Sequence, residues 1–241
     1  MRKRFILIIA VFLVTAWVYP SWGSPALFIA ANRGDLEKVR TLLRQNPEDA
    51  MTRSRGGFTP LHLSAINGHR EIAKLLIDSG APIDARNLDG ATPLLKAVQG
   101  RHIEVMELLI NMGANVNIKD NSGVSPLLAA EMDGQGDISV MLINAGADVK
   151  ARTAGGATPL HMAVREDRAY SELLIINGAD VNAVDNRGWT PLHVAVSANK
   201  PDVVKLLLAS GADATIRNKS DMTPASLAIE KGYSEIVELF R

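Results

Sequence analysis

Three histidines recur within one tetrapeptide, Thr-Pro-Leu-His, which occurs at residues 59–62, 158–161 and 190–193. Repeated imidazoles suit two kinds of chemistry, a ladder of metal ligands or a row of general bases. Two further copies of the tetrapeptide carry Leu95 and Leu128 where the histidine would stand. A working metal or proton ladder would not allow such gaps, so we expect all three histidines to have a structural role.

Other chemistry-bearing motifs are missing from the sequence. It contains no cysteine, no G-x-S-x-G, no P-loop, no H-E-x-x-H and no G-x-G-x-x-G after a strand. The segment Asp-Gly-Gln-Gly-Asp at 133–137 resembles a calcium loop but lacks the ligand spacing and the closing glutamate. The sequence therefore predicts no catalytic residue, no metal and no cofactor. A hydrolase or metal enzyme, the alternative class, would need a site built across several units.

The composition favours a folded chain without general affinity for nucleic acid. The 241 residues include 26 basic and 26 acidic side chains, and 47% of the residues are apolar but only 5% aromatic. An even charge balance gives no attraction to nucleic acid or to an anionic membrane, and the core should be aliphatic.

The first 23 residues resemble a secretory signal peptide. Basic residues at 2–4 precede an apolar run over 5–18, and Pro20 and Gly23 follow it. Cleavage after Gly23 would leave residues 24–241 with 26 − 3 = 23 basic and 26 acidic side chains, a net charge of −3. We expect an exported protein, periplasmic or secreted and bacterial; the alternative is retention of residues 5–22 as an inner-membrane anchor.

A repeat must position the tetrapeptides. Copies and degenerate copies begin at residues 59, 92, 125, 158, 190 and 223, which are 33, 33, 33, 32 and 33 residues apart. A second apolar cluster and a Gly-Ala pair follow most copies. Period and motif together closely resemble the ankyrin repeat. The resemblance implies an all-α solenoid of about seven helix-turn-helix units with short β-hairpin tips. The predicted repeats span residues 25–56, 57–89, 90–122, 123–155, 156–187, 188–220 and 221–241.

The residues around one tetrapeptide predict how its helix begins and ends. Thr59 is a good N-cap and Pro60 suits the first helical position. His62 lies three residues after the cap, where a side chain can reach back to it, as in a capping box. Gly68 should end the helix in the left-handed conformation. The same structural role is predicted for Thr158 with His161 and Thr190 with His193; the family resemblance makes each histidine a hydrogen-bonding staple.

Three departures from the repeat predict local strain or weakness. The fifth unit is one residue short and lacks the turn glycine. Arg101 stands where Gly68 stands in the second unit, and Asp221 replaces the glycine of the last tip. Such departures fit ordinary drift in a tolerant array; the alternative is a weak point around Glu166 and Asp167 that lets the solenoid flex.

The resemblance implies a non-enzymatic protein that grips another protein with its hairpin tips and the concave face of its first helices. The tip positions form a basic column, interrupted by Val184, and large apolar residues precede two of the tetrapeptides. The predicted partner-binding residues are Arg53, Phe58, Arg86, Lys119, Arg152, Trp189 and Arg217. We expect a monomer that binds one acidic protein with apolar pockets, no nucleic acid and, once the leader is cleaved, no membrane. The alternatives are a membrane-tethered scaffold and a secreted effector or inhibitor of another protein.

Overall fold

The computed structural model describes residues 25–241, and the predicted signal peptide at 1–23 lies outside the described residues. Seven pairs of α-helices fill this range, one pair in each predicted repeat. The helices are α1 Pro25–Arg33, α2 Leu36–Gln45, α3 Pro60–Ile66, α4 Arg70–Asp78, α5 Pro93–Gly100, α6 Ile103–Asn111, α7 Pro126–Met132, α8 Gly136–Asn144, α9 Pro159–Ala163, α10 Arg168–Ile176, α11 Pro191–Ser197, α12 Pro201–Ala209, α13 Pro224–Lys231 and α14 Ser234–Glu238; a 3₁₀ helix, η1, spans Pro47–Met51.

The predicted all-α fold is confirmed. The tips between repeats are tight turns, and residues 25–241 contain no β-strand. None of the helices in this range is both long and apolar enough to cross a bilayer.

The first helix of most repeats starts where its cap predicts. At α3, the Thr59 side chain accepts a hydrogen bond from the backbone N–H of His62, and proline occupies the first helical position. Thr92 and Ser125 cap α5 and α7 in the same way, although a leucine stands at the histidine position there. The cap therefore fixes the helix start, and the histidine adds something further.

Two compact units make up the chain, and the first ends at Ser122. Within it, α3 packs between the first helices α1 and α5, while α4 packs between the second helices α2 and α6. Fully buried aliphatic side chains fill the space between the layers, among them Leu61, Leu76, Leu94 and Leu109. Short helices of this kind are marginal alone, so packing between repeats must stabilise them.

The second unit begins at Gly123 and holds the last four helix pairs. Its first helices α7, α9, α11 and α13 pack in order, and so do its second helices α8, α10, α12 and α14. The helix α9 has five residues, against seven in α7 and α11. The missing residue thus shortens the first helix of the fifth repeat.

The left-handed backbone conformation predicted at glycine positions is also present where another residue replaces the glycine. Gly68 has a φ of +74°, Arg101 has a φ of 56° and Asp221, in the last tip, has a φ of 60°. Asn199 also lies in this region, with a φ of 52°. Glycine gives a second benefit at Gly68, because a Cβ atom there would lie 2.6 Å from a ring nitrogen of His102 in the next repeat.

Candidate functional site

Each histidine of the tetrapeptide bridges two repeats. In His62, Nδ1 accepts the backbone N–H of Thr59 at 3.1 Å, and Nε2 donates to the carbonyl of Ala91, in the following repeat, at 3.0 Å. The pattern returns in the second unit. There the Nε2 atoms of His161 and His193 donate to the carbonyls of Trp189 and Met222, each at 3.0 Å.

This geometry requires neutral imidazoles. A nitrogen that accepts a backbone N–H carries no proton, so the tautomer protonated at Nε2 is fixed. Burial lowers the pKa of His62 to about 4 and also lowers the pKa of His161 and His193. Both ring nitrogens of each histidine are engaged with protein atoms, which leaves no lone pair for a metal. Within residues 25–241, no group of three or more His, Asp or Glu side chains is placed to hold a metal ion.

Two histidines in the turns between helices make a second set of bridges. The Nε2 atom of His69 lies 3.2 Å from the carbonyl oxygen of Asn32, and that of His102 lies 2.8 Å from the carbonyl oxygen of Ile66. Each ring therefore connects the start of a second helix to the first helix of the preceding repeat.

The arginines of the predicted basic column hold neighbouring tips together. In the first unit, Arg53 donates to the carbonyl of Arg86 at 2.7 Å, and Arg86 donates to the carbonyl of Lys119 at 3.0 Å. A backbone bond from the Leu88 N–H to the Gly56 carbonyl, 2.9 Å long, also joins the tips that carry Arg53 and Arg86. These guanidinium groups are exposed, but part of their hydrogen-bonding capacity is used inside the molecule.

The second unit repeats this arrangement. Arg152 donates to the carbonyl of Val184 at 2.7 Å, and Arg217 donates to the carbonyl of Asp221, within its own tip, at 2.8 Å.

Lys119, in the first unit, differs from the arginines. Its side chain is exposed, and no hydrogen bond or ion pair engages its ammonium among the residues that the structure describes. The column thus contains both structural arginines and an available lysine.

The two predicted aromatic contacts lie against the staple histidines. Phe58 meets His62 edge-on with ring centroids 5.6 Å apart, and Trp189 lies 6.0 Å from His193. The guanidinium of Arg187 covers the Trp189 ring at 5.0 Å. Both aromatic side chains are half-buried, so each offers only part of its surface to a partner.

Sequence reasoning missed two residues at the tips. Leu88 is an apolar side chain in the turn of its tip, and it is 68% exposed. Arg187 forms an ion pair with the buried carboxylate of Asp185 at 2.7 Å while it stacks on Trp189. The Asp-Asn-Arg-Gly-Trp order at 185–189 was a usable signal for that contact, whereas the exposure of Leu88 depends on the turn geometry.

A family model described as ankyrin repeats in three copies matches residues 8–87, 27–120, 81–153, 115–185 and 160–241. The chain belongs to the ankyrin repeat family. Ankyrin repeats form protein–protein interaction modules and are generally non-enzymatic scaffolds.

Solved ankyrin domains superpose over most of the chain. The ankyrin repeat domain of Bcl-3, a member of the IkappaB family, is 27% identical with a TM-score of 0.76 and covers 91% of this chain and 99% of its own. An ankyrin repeat domain from Acinetobacter baumannii AYE is 36% identical with a TM-score of 0.70, over 75% of this chain and 95% of its own.

Curated relatives match over shorter segments. Alpha-latrocrustotoxin-Lt1a of Latrodectus tredecimguttatus is 44% identical over 27% of this chain, and the match covers 4% of the toxin. Protein phosphatase 1 regulatory subunit 27 of Homo sapiens is 40% identical over 31% of this chain and 47% of its own length. This chain therefore resembles these relatives over a few repeats and spans less than half of their length. Because relatives come from animals as well as from a bacterium, the similarity does not indicate a bacterial source.

Proposed function

We propose that this protein is a non-enzymatic binding module that engages another protein through its repeat tips and adjoining first helices. The observation that carries the proposal is the bonding between tips. Within each unit, backbone and arginine hydrogen bonds fix neighbouring tips to one another, for example the 2.7 Å bond from Arg53 to the Arg86 carbonyl. A tip whose backbone is already fixed loses little further backbone freedom on binding, which favours affinity.

The exposed groups of the first unit support a partner that is acidic with apolar pockets. Arg55 and Lys119 are exposed cations on the first and third tips of this unit, and Leu88, with 68% of its surface exposed, lies on the tip between them. Such a combination suits an apolar anchor within a charged rim. Arg53 and Arg86 contribute the donors that remain after their bonds within the molecule.

Export of the chain forms part of the proposal. It is supported by the basic residues at 2–4, the apolar run at 5–18 and the small residues before Ser24. The absence of cysteine and the short apolar run are compatible with a bacterial periplasm, where we place the mature protein as a monomer.

A capture experiment tests the binding surface. The full chain with an affinity tag at its C-terminus is used to capture partners from the periplasmic fraction, and binding of the captured protein is then titrated. The variant Arg55→Glu/Leu88→Ser/Lys119→Glu leaves the Arg53 and Arg86 bonds in place. We expect it to weaken binding roughly tenfold or more.

A matched control makes the same chemical changes away from the tips. Lys38→Glu, Arg44→Glu and Met51→Ser alter exposed residues on α2 and η1, and we expect this variant to bind as the wild type does. Equal weakening of both variants would show that net charge, and not the tips, controls binding. Intact mass of the purified chain tests export, because cleavage removes residues 1–23 and a tethered scaffold would retain them.

A further inference from the structure

A small cavity with both polar and apolar walls lies within the second unit, between the fourth repeat and the short fifth repeat. Its volume is about 30 Å³, which is sufficient for a group of water size. Six of the residues that line it carry the argument: Glu131, Gln135, Ser139, Met162, Glu166 and Tyr170.

The missing residue of the fifth repeat explains the position of the cavity. In the second and third repeats, His69 and His102 precede the second helix and reach a carbonyl of the preceding repeat. The corresponding turn of the fifth repeat has Asp167, whose carboxylate instead accepts the N–H of Ala169 in its own helix. Because no side chain fills the space after the five-residue α9, the cavity remains.

Two buried polar atoms in the cavity wall have no hydrogen-bond partner. Gln135 is 3% exposed and Ser139 is 0% exposed. Within the described residues, neither Oε1 of Gln135 nor Oγ of Ser139 has a partner at hydrogen-bond geometry. The Ser139 side chain lies close enough to Glu131 and Tyr170 to lower the pKa of both groups, against the larger rise that burial causes. Buried polar atoms are almost always paired, so these two atoms call for an occupant of the cavity.

The wall carries two carboxyl groups and no basic side chain. Glu131 accepts a hydrogen bond from the Tyr170 hydroxyl through one of its two carboxylate oxygens. Burial raises the pKa of Glu131, as expected for a carboxylate without a compensating cation. Glu166 adds a second carboxyl group, and no Lys, Arg or His lines the cavity.

We propose that this cavity binds a primary ammonium group, and that its source is a lysine side chain of the partner protein. An ammonium has the size of a water molecule and carries three N–H donors. The cavity wall has three acceptors for these donors: Oε1 of Gln135, Oγ of Ser139 and the carboxylate of Glu131. Met162 supplies an apolar wall for the methylene stem.

Other cations fit less well. A guanidinium is planar and presents five donors in a fixed fork, more than the three acceptors of the cavity can receive. Calcium takes six to eight oxygen ligands, and the cavity does not offer that number, since the Tyr170 hydroxyl is already bonded to Glu131. Exposed Glu166 and Gly134 show that the cavity reaches solvent, so a side chain can enter.

The test for the site uses n-butylammonium as a probe of the full chain, followed through the backbone amide shifts of Gly134 and Gly136. We expect saturable shifts with butylammonium and none with tetramethylammonium, which has no N–H donor. Glu131→Gln should weaken the affinity about tenfold or more, because it removes the charge and keeps the shape. The matched control Glu172→Gln, an exposed residue of α10 outside the cavity, should leave the affinity unchanged.

Three results would overturn the site: no saturable shift with butylammonium, equal shifts with tetramethylammonium, or saturation by calcium at lower concentration. The source of the ammonium rests on the proposed function and is tested separately by partner capture with the Glu131→Gln and Glu172→Gln chains. Loss of capture with Glu131→Gln alone supports a lysine of the partner. If the Glu131→Gln chain captures the partner as well as the wild type does, while the wild type binds butylammonium, the site takes a free amine and the partner's lysine is rejected. If no chain captures a protein while butylammonium still binds, the proposed function fails and the site stands.

Discussion

At the scale of single residues, the histidine of the tetrapeptide makes a contact that its leucine replacements cannot make. Leu95 and Leu128 are fully buried at this position and the helix cap persists beside them. The polar contribution of His62 is therefore the bridge to the Ala91 carbonyl and the acceptor for the Thr59 N–H. The bond that Nδ1 accepts from the Thr59 N–H requires the neutral ring, whereas Nε2 can donate from either form, so protonation breaks the first bond and couples folding to pH.

We predict that His62 makes the protein less stable in acid. Its pKa is about 4 in the folded chain against 6.5 as the ordinary value. As pH falls through this window the unfolded chain takes up a proton before the folded chain does, so the free energy of unfolding falls. The loss between about pH 7 and pH 4 should be about 3 kcal/mol. Urea unfolding across this range measures it.

The variant His62→Leu isolates this effect from all other titrating groups. It should be less stable than the wild type near neutral pH by about 1–2 kcal/mol, because the Ala91 carbonyl loses its donor. The difference between variant and wild type should shrink or reverse as pH falls to about 4. A difference that stays constant with pH would show that the ring titrates normally in the folded protein.

A second residue-scale prediction separates the structural arginines from the available lysine. Arg86→Ala removes bonds to two carbonyls, those of Gly90 and Lys119. The group is exposed, so we expect a modest loss of about 1 kcal/mol in the free energy of unfolding. Lys119→Ala should change it by less than about 0.5 kcal/mol. Equal effects in denaturant titrations would contradict the bonding between tips.

At the scale of helices and turns, glycine at the end of a first helix serves two purposes that can be separated. Gly68, which follows the first helix α3, and Gly80, which follows the second helix α4, both have positive φ, at +74° and +90°. An added Cβ at Gly68 would crowd the His102 ring at 2.6 Å, whereas at Gly80 it would meet nothing within 4 Å. The two positions thus share backbone strain but differ in crowding.

We predict that Gly80→Ala lowers the free energy of unfolding by about 1 kcal/mol, from left-handed strain alone. Gly68→Ala should cost about 1–3 kcal/mol more, because the His102 ring must move and its bond to the Ile66 carbonyl is lost. Thermal unfolding measures both. Adding His102→Ala should remove most of the excess cost of Gly68→Ala, and full additivity in this cycle would argue against crowding.

Much of the local structure could be predicted from the sequence because its determinants are local. Thr59 with Pro60 sets a helix start, and the glycine spacing predicted the left-handed turns, including Arg101 and Asp221. The cavity beside Gln135 could not be predicted, because it depends on how a shortened helix packs against its neighbour. The hydrogen bonds from the tip arginines to neighbouring tips could not be predicted either. The sequence does not show whether an arginine at a turn donates to a partner or to the carbonyl of the next tip.

At the scale of the whole molecule, stability should be uneven along the chain. In a repeat protein each repeat is stabilised by itself and by its immediate neighbours, so a defect stays local. Within the second unit, the fifth repeat combines the five-residue helix α9 with a turn that carries Glu166 and Asp167 without glycine, and it packs against a fourth repeat whose Gln135 and Ser139 lack hydrogen-bond partners.

We therefore predict that backbone amides from α9 through the start of α10 exchange with deuterium faster than the corresponding amides of the third and sixth repeats. Opening of the fifth repeat breaks fewer contacts, since α9 is short and its turn lacks the histidine bridge of the second and third repeats. Exchange mass spectrometry on the full chain provides the measurement. Inserting one glycine after Glu166 restores the common repeat length and should slow exchange there while the sixth repeat stays unchanged. Equal protection of all three repeats in the wild type would remove the physical basis for a weak fifth repeat.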